Sequence, residues 1–595
     1  MCRIAGIFNK NLPVTALQDT VQKMCDAQKH GGPDDEGLWS DAASGLVLGH
    51  RRLSLLDLSS AGHQPMIWKE RYVISFNGEI YNFLSVRNDL IQLGHSFKTQ
   101  TDTEVILAAY EQWGTQSFAM LQGMFAFALW DIQLQELLLV RDAAGIKPLY
   151  YHCDKQRITF ASETRAFNCI ENVAEQNPNW PVYMLAYGHL PEPITTLKNV
   201  KLLPKGFYLH YKTTSGEYSL QSFMFYSFSE EIQSRQAARE MIGILLRKAV
   251  KDQLISDAPI GVFLSGGIDS GILFLLAAEI KKQGLNSLSL YFNEGQYSEK
   301  AYQDILLEQV NCQRNQYLLN EQNFAQHFER ILQDMDQPSC DGINTWFISR
   351  YARQQGLKAV LSGIGADELL GGYPSFKRMQ MASLLQRSPN TILRTGAWKG
   401  RKLRRLNYLS IEGITGLYLF LRGQFSPYDI ARQLDATEKE VWQILNTVPV
   451  LPDISAMDNG NIASWMELNL YMQNQLLRDA DVMSMAHGIE IRVPFLDHRF
   501  QQYCMQVHPY TKFNGKLPKS LLVEAFANEL PRPVWDRPKM GFSFPFTEWF
   551  KQNEMVKQNL LSKGTLGQHN YQQFLKSELH WSQVLGLMLV SEKFV

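Results

Sequence analysis

Over the first ~200 residues the apolar positions fall in short β-type runs between turn signals, with few long helical periods. Residues 72–76 (YVISF), 123–130 (GMFAFALW) and 137–140 (LLLV) are examples. A polar, Ser-rich passage at 213–235 then changes the pattern and reads as a linker. Beyond it, a helical period at 237–254 leads into the apolar strand 260–264 (IGVFL), a glycine turn, a second helix and the strand 287–292 (SLSLYF). A later strand, 359–361, also ends in a glycine-rich turn. Strands alternating with helices predict a parallel sheet, which binds ligands at the carboxyl ends of its strands. From about residue 383 onward the pattern is mostly helical. The expected division is therefore 1–212, a linker at 213–235, and 236–595.

Composition narrows the functional classes. The chain has 595 residues, 45% of them hydrophobic and 20% charged, enough for two large domains with real cores. Lys+Arg 58 against Asp+Glu 59 leaves a formal charge of -1, which argues against nucleic acid or an anionic membrane as the main partner. No apolar run reaches the ~18 residues of a membrane span, and no targeting pattern is seen at the amino end, so a cytoplasmic location is expected. Seven scattered cysteines without CxxC spacing, and no HExxH among 13 histidines, argue against a disulfide framework or a structural zinc site.

One cysteine stands apart. If Met1 is removed, Cys2 carries both a thiol and a free α-amine. A neutral α-amine can take the thiol proton, giving a nucleophile that attacks carbonyls and needs donors for the resulting oxyanion. Asn77 and Gly78 after a strand could supply an amide and a backbone N–H. The segment at 50–54 (HRRLS) offers a guanidinium for a carboxylate, and Glu79 and Asp102 are acids suited to an α-ammonium. With residues 123–127, Arg141, Asp142, Gly145, Pro148 and 161–163, these resemble the class II glutamine amidotransferases. The resemblance implies an α+β N-terminal-nucleophile fold, an αββα sandwich. It makes Cys2 the nucleophile that frees ammonia from glutamine and Asn77 and Gly78 the oxyanion hole. Arg52 would bind the substrate carboxylate, and Glu79 and Asp102 its amino group. Gly31 departs from the family, which commonly has arginine there.

Phe263, Leu264, Ser265, Gly266, Gly267, Ile268, Asp269 and Ser270 run from strand into helix. Glycines admit a phosphate to the backbone, the helix N-terminus presents N–H groups, and Asp269 can hold Mg²⁺. The spacing is neither GxxxxGK[ST] nor GxGxxG. A second turn, Ser362, Gly363, Ile364, Gly365, Ala366, Asp367, adds backbone amides and a second candidate metal ligand, Asp367. Lys539, in the segment 537–542 (RPKMGF), could neutralise charge on an α-phosphate. The first string resembles the signature of the ATP-pyrophosphatase enzymes, which adenylate a substrate. That likeness puts ATP and pyrophosphate on Leu264 to Gly267, Asp269, Ser270 and Ser362 to Gly365.

Together the halves resemble the glutamine-hydrolysing asparagine synthetases over nearly the whole chain, including 336–341, 477–481 and 488–497. The resemblance implies amidation of a carboxylate through an acyl-adenylate, with ATP and Mg²⁺ and with ammonia passed internally. Glutamine and a carboxylate acceptor are the implied partners, and a homodimer is the assembly the resemblance allows. Aspartate is the default acceptor. Asparagine synthetases usually have glutamate where this chain has Ile364, which opens uronic acids and natural-product carboxylates as alternatives. A synthesis-deficient glutamine-binding protein and a stand-alone amidohydrolase are readings from other classes.

Overall fold

A computed structural model describes residues 2–395, 400–449, 451–515, 517–541 and 543–591. Phe542, quoted above beside Lys539, lies outside the described residues. The first domain holds strands β1 (Arg3–Asn9), β2 (Asp35–Asp41), β3 (Leu46–Arg52), β4 (Met66–Trp68), β5 (Tyr72–Ile80), β6 (Gly123–Asp131), β7 (Glu136–Arg141), β8 (Tyr150–Cys153), β9 (Arg157–Ala161), β10 (Lys201–Leu202), β11 (Phe207–Lys212) and β12 (Glu217–Ser222). They form two six-stranded antiparallel sheets, ordered β10-β8-β9-β1-β3-β2 and β12-β11-β7-β6-β5-β4.

Strand periodicity explains why the two sheets stack. Ala126, Ala128 and Trp130 of β6 point into the layer between sheets, against Ile4, Phe8 and Leu48. The alternate residues Phe125, Phe127 and Leu129 point the other way, into an aromatic layer under the helices Phe83–Gln92 and Asp102–Trp113. Because both faces are buried, these strands read as unbroken apolar runs. The helix Val14–Ala27 covers the outer face of the first sheet through Leu17, Val21, Met24 and Cys25. The result is an αββα sandwich, as expected.

Two expectations need correction. Residues 217–222, read as linker, form the edge strand β12, paired with β11 from Phe207↔Ser222 to Lys212↔Glu217. All six of its residues are exposed, so no apolar alternation marked it as a strand. The first domain also contains more helix than its pattern suggests. From Asp102 to Ala109 every residue of the helix Asp102–Trp113 is buried, which erases the 3.6-residue period.

The second domain begins with the helix Arg235–Gln253 and builds the parallel strands β13 (Ile260–Phe263), β14 (Asn286–Tyr291), β15 (Gln313–Leu318), β16 (Ala359–Leu361) and β17 (Glu490–Arg492). Their order is β15-β14-β13-β16-β17. The chain moves outward to one side of β13 and then returns to its other side, so β13 and β16 flank the point where strand order reverses. Open α/β sheets bind ligands in the crevice at such a point. The remaining chain is mostly helical, as expected, apart from β17.

Buried polar contacts join the domains. Asp336 accepts hydrogen bonds from the backbone N–H groups of Thr164 and Arg165, both at 2.8 Å. Arg3 pairs with Glu163 at 2.6 Å and with Asp481 at 2.9 Å, and Lys147 reaches Asp481 at 3.3 Å. A Cβ on Gly31 would lie 2.8 Å from the Arg3 side chain. The space over Gly31 is thus filled by the arginine of β1.

Candidate functional sites

The first site lies at the amino end of β1. The main-chain nitrogen of Cys2 donates to Asn77 Oδ1 at 3.1 Å. Asn77 is fully buried, and its Nδ2 has no hydrogen-bond partner among the described residues. A buried amide donor left unmatched beside a thiol is suited to an oxyanion. Only glycine fits at position 78, because a Cβ there would come 2.1 Å from the Met124 carbonyl oxygen. Burial pushes the Cys2 thiol up, while the Leu53 backbone N–H and the Arg52 guanidinium pull it down. Arg52 is aimed by carbonyls, donating to Ser59 O at 2.9 Å and Leu56 O at 3.3 Å. No carboxylate pairs with it among the described residues, so its charge is left for a ligand.

Two acids complete this pocket. Asp102 accepts from the backbone N–H of Ile80 at 2.9 Å, and burial raises it to about 6. Burial and the neighbouring Glu490 hold Glu79 well above the usual carboxylate range, and Arg492 opposes them. Cys2, Arg52, Asn77, Gly78, Glu79 and Asp102 are therefore brought together, as their motifs predicted.

The second site sits across the ends of β13 and β16. The first turn is organised by its own serines: Ser265 and Ser270 hydroxyls lie 2.8 Å apart, and Ser265 Oγ accepts from Gly267 N–H at 3.2 Å. Leu264 anchors it by donating to Leu288 O at 2.8 Å, and the helix Ile268–Lys281 follows directly. A Cβ on Gly363 would lie 3.0 Å from Asp269 Cβ, so the second turn packs closely against the first. Ser362 donates its N–H to Arg492 O at 2.8 Å, and Gly365 has a φ of +105° against Leu496.

Asp269 and Asp367 do converge, on a residue that sequence reasoning passed over. Lys519 Nζ lies 2.6 Å from Asp269 Oδ2 and 2.7 Å from Asp367 Oδ1. Lys539 Nζ lies 2.6 Å from Asp367 Oδ2 and donates to Gly372 O at 3.0 Å. Arg537 closes the first turn, donating to Gly266 O at 3.0 Å. Lys519 stands in a Gly- and Pro-containing turn with a left-handed φ of +55°, and a lone lysine there carries no spacing signal. Ile364 packs, partly buried, against the apolar core. Glu368 is buried, accepts from the Tyr373 hydroxyl at 2.7 Å and from Gly365 N–H at 3.1 Å, and is raised by burial and Asp367 to about 7.

Magnesium fits this donor set. Two carboxylates from two loops already meet at one cation, the Lys519 ammonium. Mg²⁺ is commonly held by one or two carboxylates with phosphate oxygens supplying the rest.

Comparison with known proteins agrees with this geometry. A family model described as a glutamine amidotransferase domain matches residues 1–224, and one described as asparagine synthase matches 241–581. Asparagine synthetase [glutamine-hydrolyzing] 1 of Bacillus subtilis is 29% identical over 581 residues, covering 93% of this chain and 88% of that protein. A putative asparagine synthetase of Mycobacterium tuberculosis is 30% identical over 562 residues, covering 89% and 84%. With both domain models and relatives of this coverage matched, the chain belongs to the glutamine-hydrolysing asparagine synthetase family.

Proposed function

We propose that the protein is a cytoplasmic enzyme that amidates a carboxylate with ammonia from glutamine, driven by cleavage of ATP to AMP and pyrophosphate. Cys2 attacks the glutamine amide, with Asn77 Nδ2 and the Gly78 N–H receiving the oxyanion. Arg52 holds the substrate carboxylate, and Glu79 and Asp102 its ammonium. Water then releases glutamate from the thioester, and ammonia passes through the interior to the second site. There the acceptor carboxylate attacks the α-phosphorus of ATP and pyrophosphate leaves. Ammonia displaces AMP from the acyl-adenylate, giving the amide and one proton.

The backbone amides of Ser265 to Gly267 and Ser362 to Gly365 are suited to the phosphates, and Lys519 and Lys539 to the departing pyrophosphate. Asp269 and Asp367 would hold Mg²⁺, which when bound shields phosphate charge. With isoleucine at 364, Glu368 is the carboxyl in this loop held near neutral pH, and it fits the role of accepting the proton from the attacking ammonia. The observation that carries the reading is the meeting of Asp269 and Asp367 at one cation across adjacent strand ends.

Aspartate is the default acceptor, giving asparagine. The isoleucine at 364, partly buried and without a titratable group, favours a second reading, in which a uronic acid or a natural-product carboxylate takes the place of aspartate. Release of AMP and pyrophosphate with glutamine and each candidate acid tests both. Stimulation by aspartate supports the default, and stimulation by a uronic acid without aspartate replaces it. No nucleotide cleavage with any acid, together with intact glutamine hydrolysis, would favour a synthesis-deficient protein.

A further inference from the structure

The contact between Glu79 and Arg492 crosses the domain boundary. Arg492 ends β17 of the synthetase sheet and is fully buried. Its Nη1 donates to Gln253 O at 2.7 Å and Ile255 O at 2.6 Å, and its Nε to Glu490 Oε1 at 2.5 Å. These three bonds are all within the second domain and fix the plane of the guanidinium. The remaining nitrogen, Nη2, makes no hydrogen bond among the described residues and faces Glu79 Oε1 at 3.6 Å. The Tyr81 ring lies 5.7 Å from the guanidinium carbon.

We infer that Arg492 is a positioning residue of the glutamine pocket: the synthetase domain supplies the guanidinium that faces Glu79 and orients it toward the substrate's ammonium. The inference rests on the reading of the first pocket as a glutaminase. Glu79 is buried among acids, with Glu490 and Asp102 as its carboxylate neighbours and Arg492 as the side-chain cation facing it. In such company burial and Glu490 raise the carboxyl well above its usual range, Arg492 opposes that rise, and an incoming substrate ammonium would add to the same opposition. Arginine suits the task because its planar fork can be anchored on one side while offering a donor on the other.

The same residue touches the second site through its backbone, since Arg492 O receives the N–H of Ser362, first residue of the second glycine turn. The glutamine pocket is thus composite. It is complete only when β17 lies in register with β16, paired Leu361↔Arg492.

The test uses the full-length chain with Arg492→Gln and Arg492→Lys, following glutamate release and, separately, AMP release driven by ammonium salts. Arg492→Gln is expected to raise the glutamine KM by about tenfold or more while kcat changes by less than about threefold, the signature of lost substrate binding. The acid limb of 1/KM against pH should move to higher pH, because Glu79 then protonates more readily. Arg492→Lys should restore part of both effects, and in each variant ammonium-driven synthesis should fall by a smaller factor than kcat/KM for glutamine. An unmoved KM and pH limb in a folded variant overturns the inference, as does parallel loss of ammonium-driven synthesis, which marks a merely structural role. If Arg492→Gln does not fold, Arg492→Lys decides by the same two readouts. A wild-type protein without glutamine hydrolysis would overturn the glutaminase reading itself, whereas normal wild-type hydrolysis with unmoved variants sinks this inference alone.

Discussion

Lys519 sets its ammonium between two aspartates, 2.6 Å from Asp269 Oδ2 and 2.7 Å from Asp367 Oδ1, so one lysine ties the two glycine turns together. Replacing it by methionine leaves two facing carboxylates without a common cation and removes a positive charge from the proposed pyrophosphate site. Lys519→Met is expected to slow synthesis by about 100-fold or more, the scale of losing one preorganised electrostatic contact. The loss should be the same with glutamine or ammonium salts, while glutamine hydrolysis continues; parallel assays of AMP and glutamate check both.

Cys2 and the aspartate pair sit in different domains, which separates their chemistry. Cys2→Ala is expected to abolish glutamate release and glutamine-driven amidation while leaving amidation from ammonium salts near the wild-type rate. Loss of both activities in a folded variant would contradict two distinct sites.

Asn77 does two things: Oδ1 accepts from the Cys2 nitrogen, and Nδ2 has no partner among the described residues. Asn77→Ala should lower kcat for glutamine hydrolysis by about 10²–10³-fold, typical of an oxyanion donor, with a smaller change in KM. Steady-state kinetics of glutamate release would show it.

Asp102 gives the first site a pH dependence whose sign can be worked out. Burial raises its carboxyl to about 6, so it is ionised above that pH and neutral below it. Only the ionised form attracts the substrate ammonium. The glutamine KM should therefore climb as pH falls below about 6, and Asp102→Asn should raise KM throughout and remove the Asp102 share of that limb, leaving the share that belongs to Glu79.

The domain interface yields a stability prediction. Asp336→Ala strands the buried N–H group of Thr164 and the part-buried one of Arg165. Breaking such a network by removing one partner costs about 3 kcal/mol or more. A lower melting temperature is expected, together with more glutamine hydrolysed per AMP released as the halves part and ammonia escapes; calorimetry and product ratios measure the two effects.

Much of this was readable along the chain, for identifiable reasons. The runs at 72–76, 123–130 and 137–140 fall in β5, β6 and β7 because strands buried on both faces need nearly continuous apolar stretches, Ser75 being satisfied by Gly49 O. The turns at 265–270 and 362–367 were visible because glycine beside Ser and Asp after a short apolar strand is a local requirement of close phosphate approach. The strands β15 and β17 were not legible: one is polar, the other a single isoleucine between Glu490 and Arg492, and neighbours on the sheet stabilise both.

The amino-acid order by itself determined the two domain types and which cysteine, glycines and acids each loop carries, since these depend on residue chemistry and short-range backbone geometry. Tertiary structure alone decided that Lys519 meets Asp269 across 250 positions, that Arg3 fills the space over Gly31, and that Arg492 of the synthetase sheet faces Glu79. Those contacts arise from how packed sheets juxtapose distant side chains in a medium of low dielectric. There a charge needs a partner within a few ångströms, and no spacing in sequence records which partner it finds.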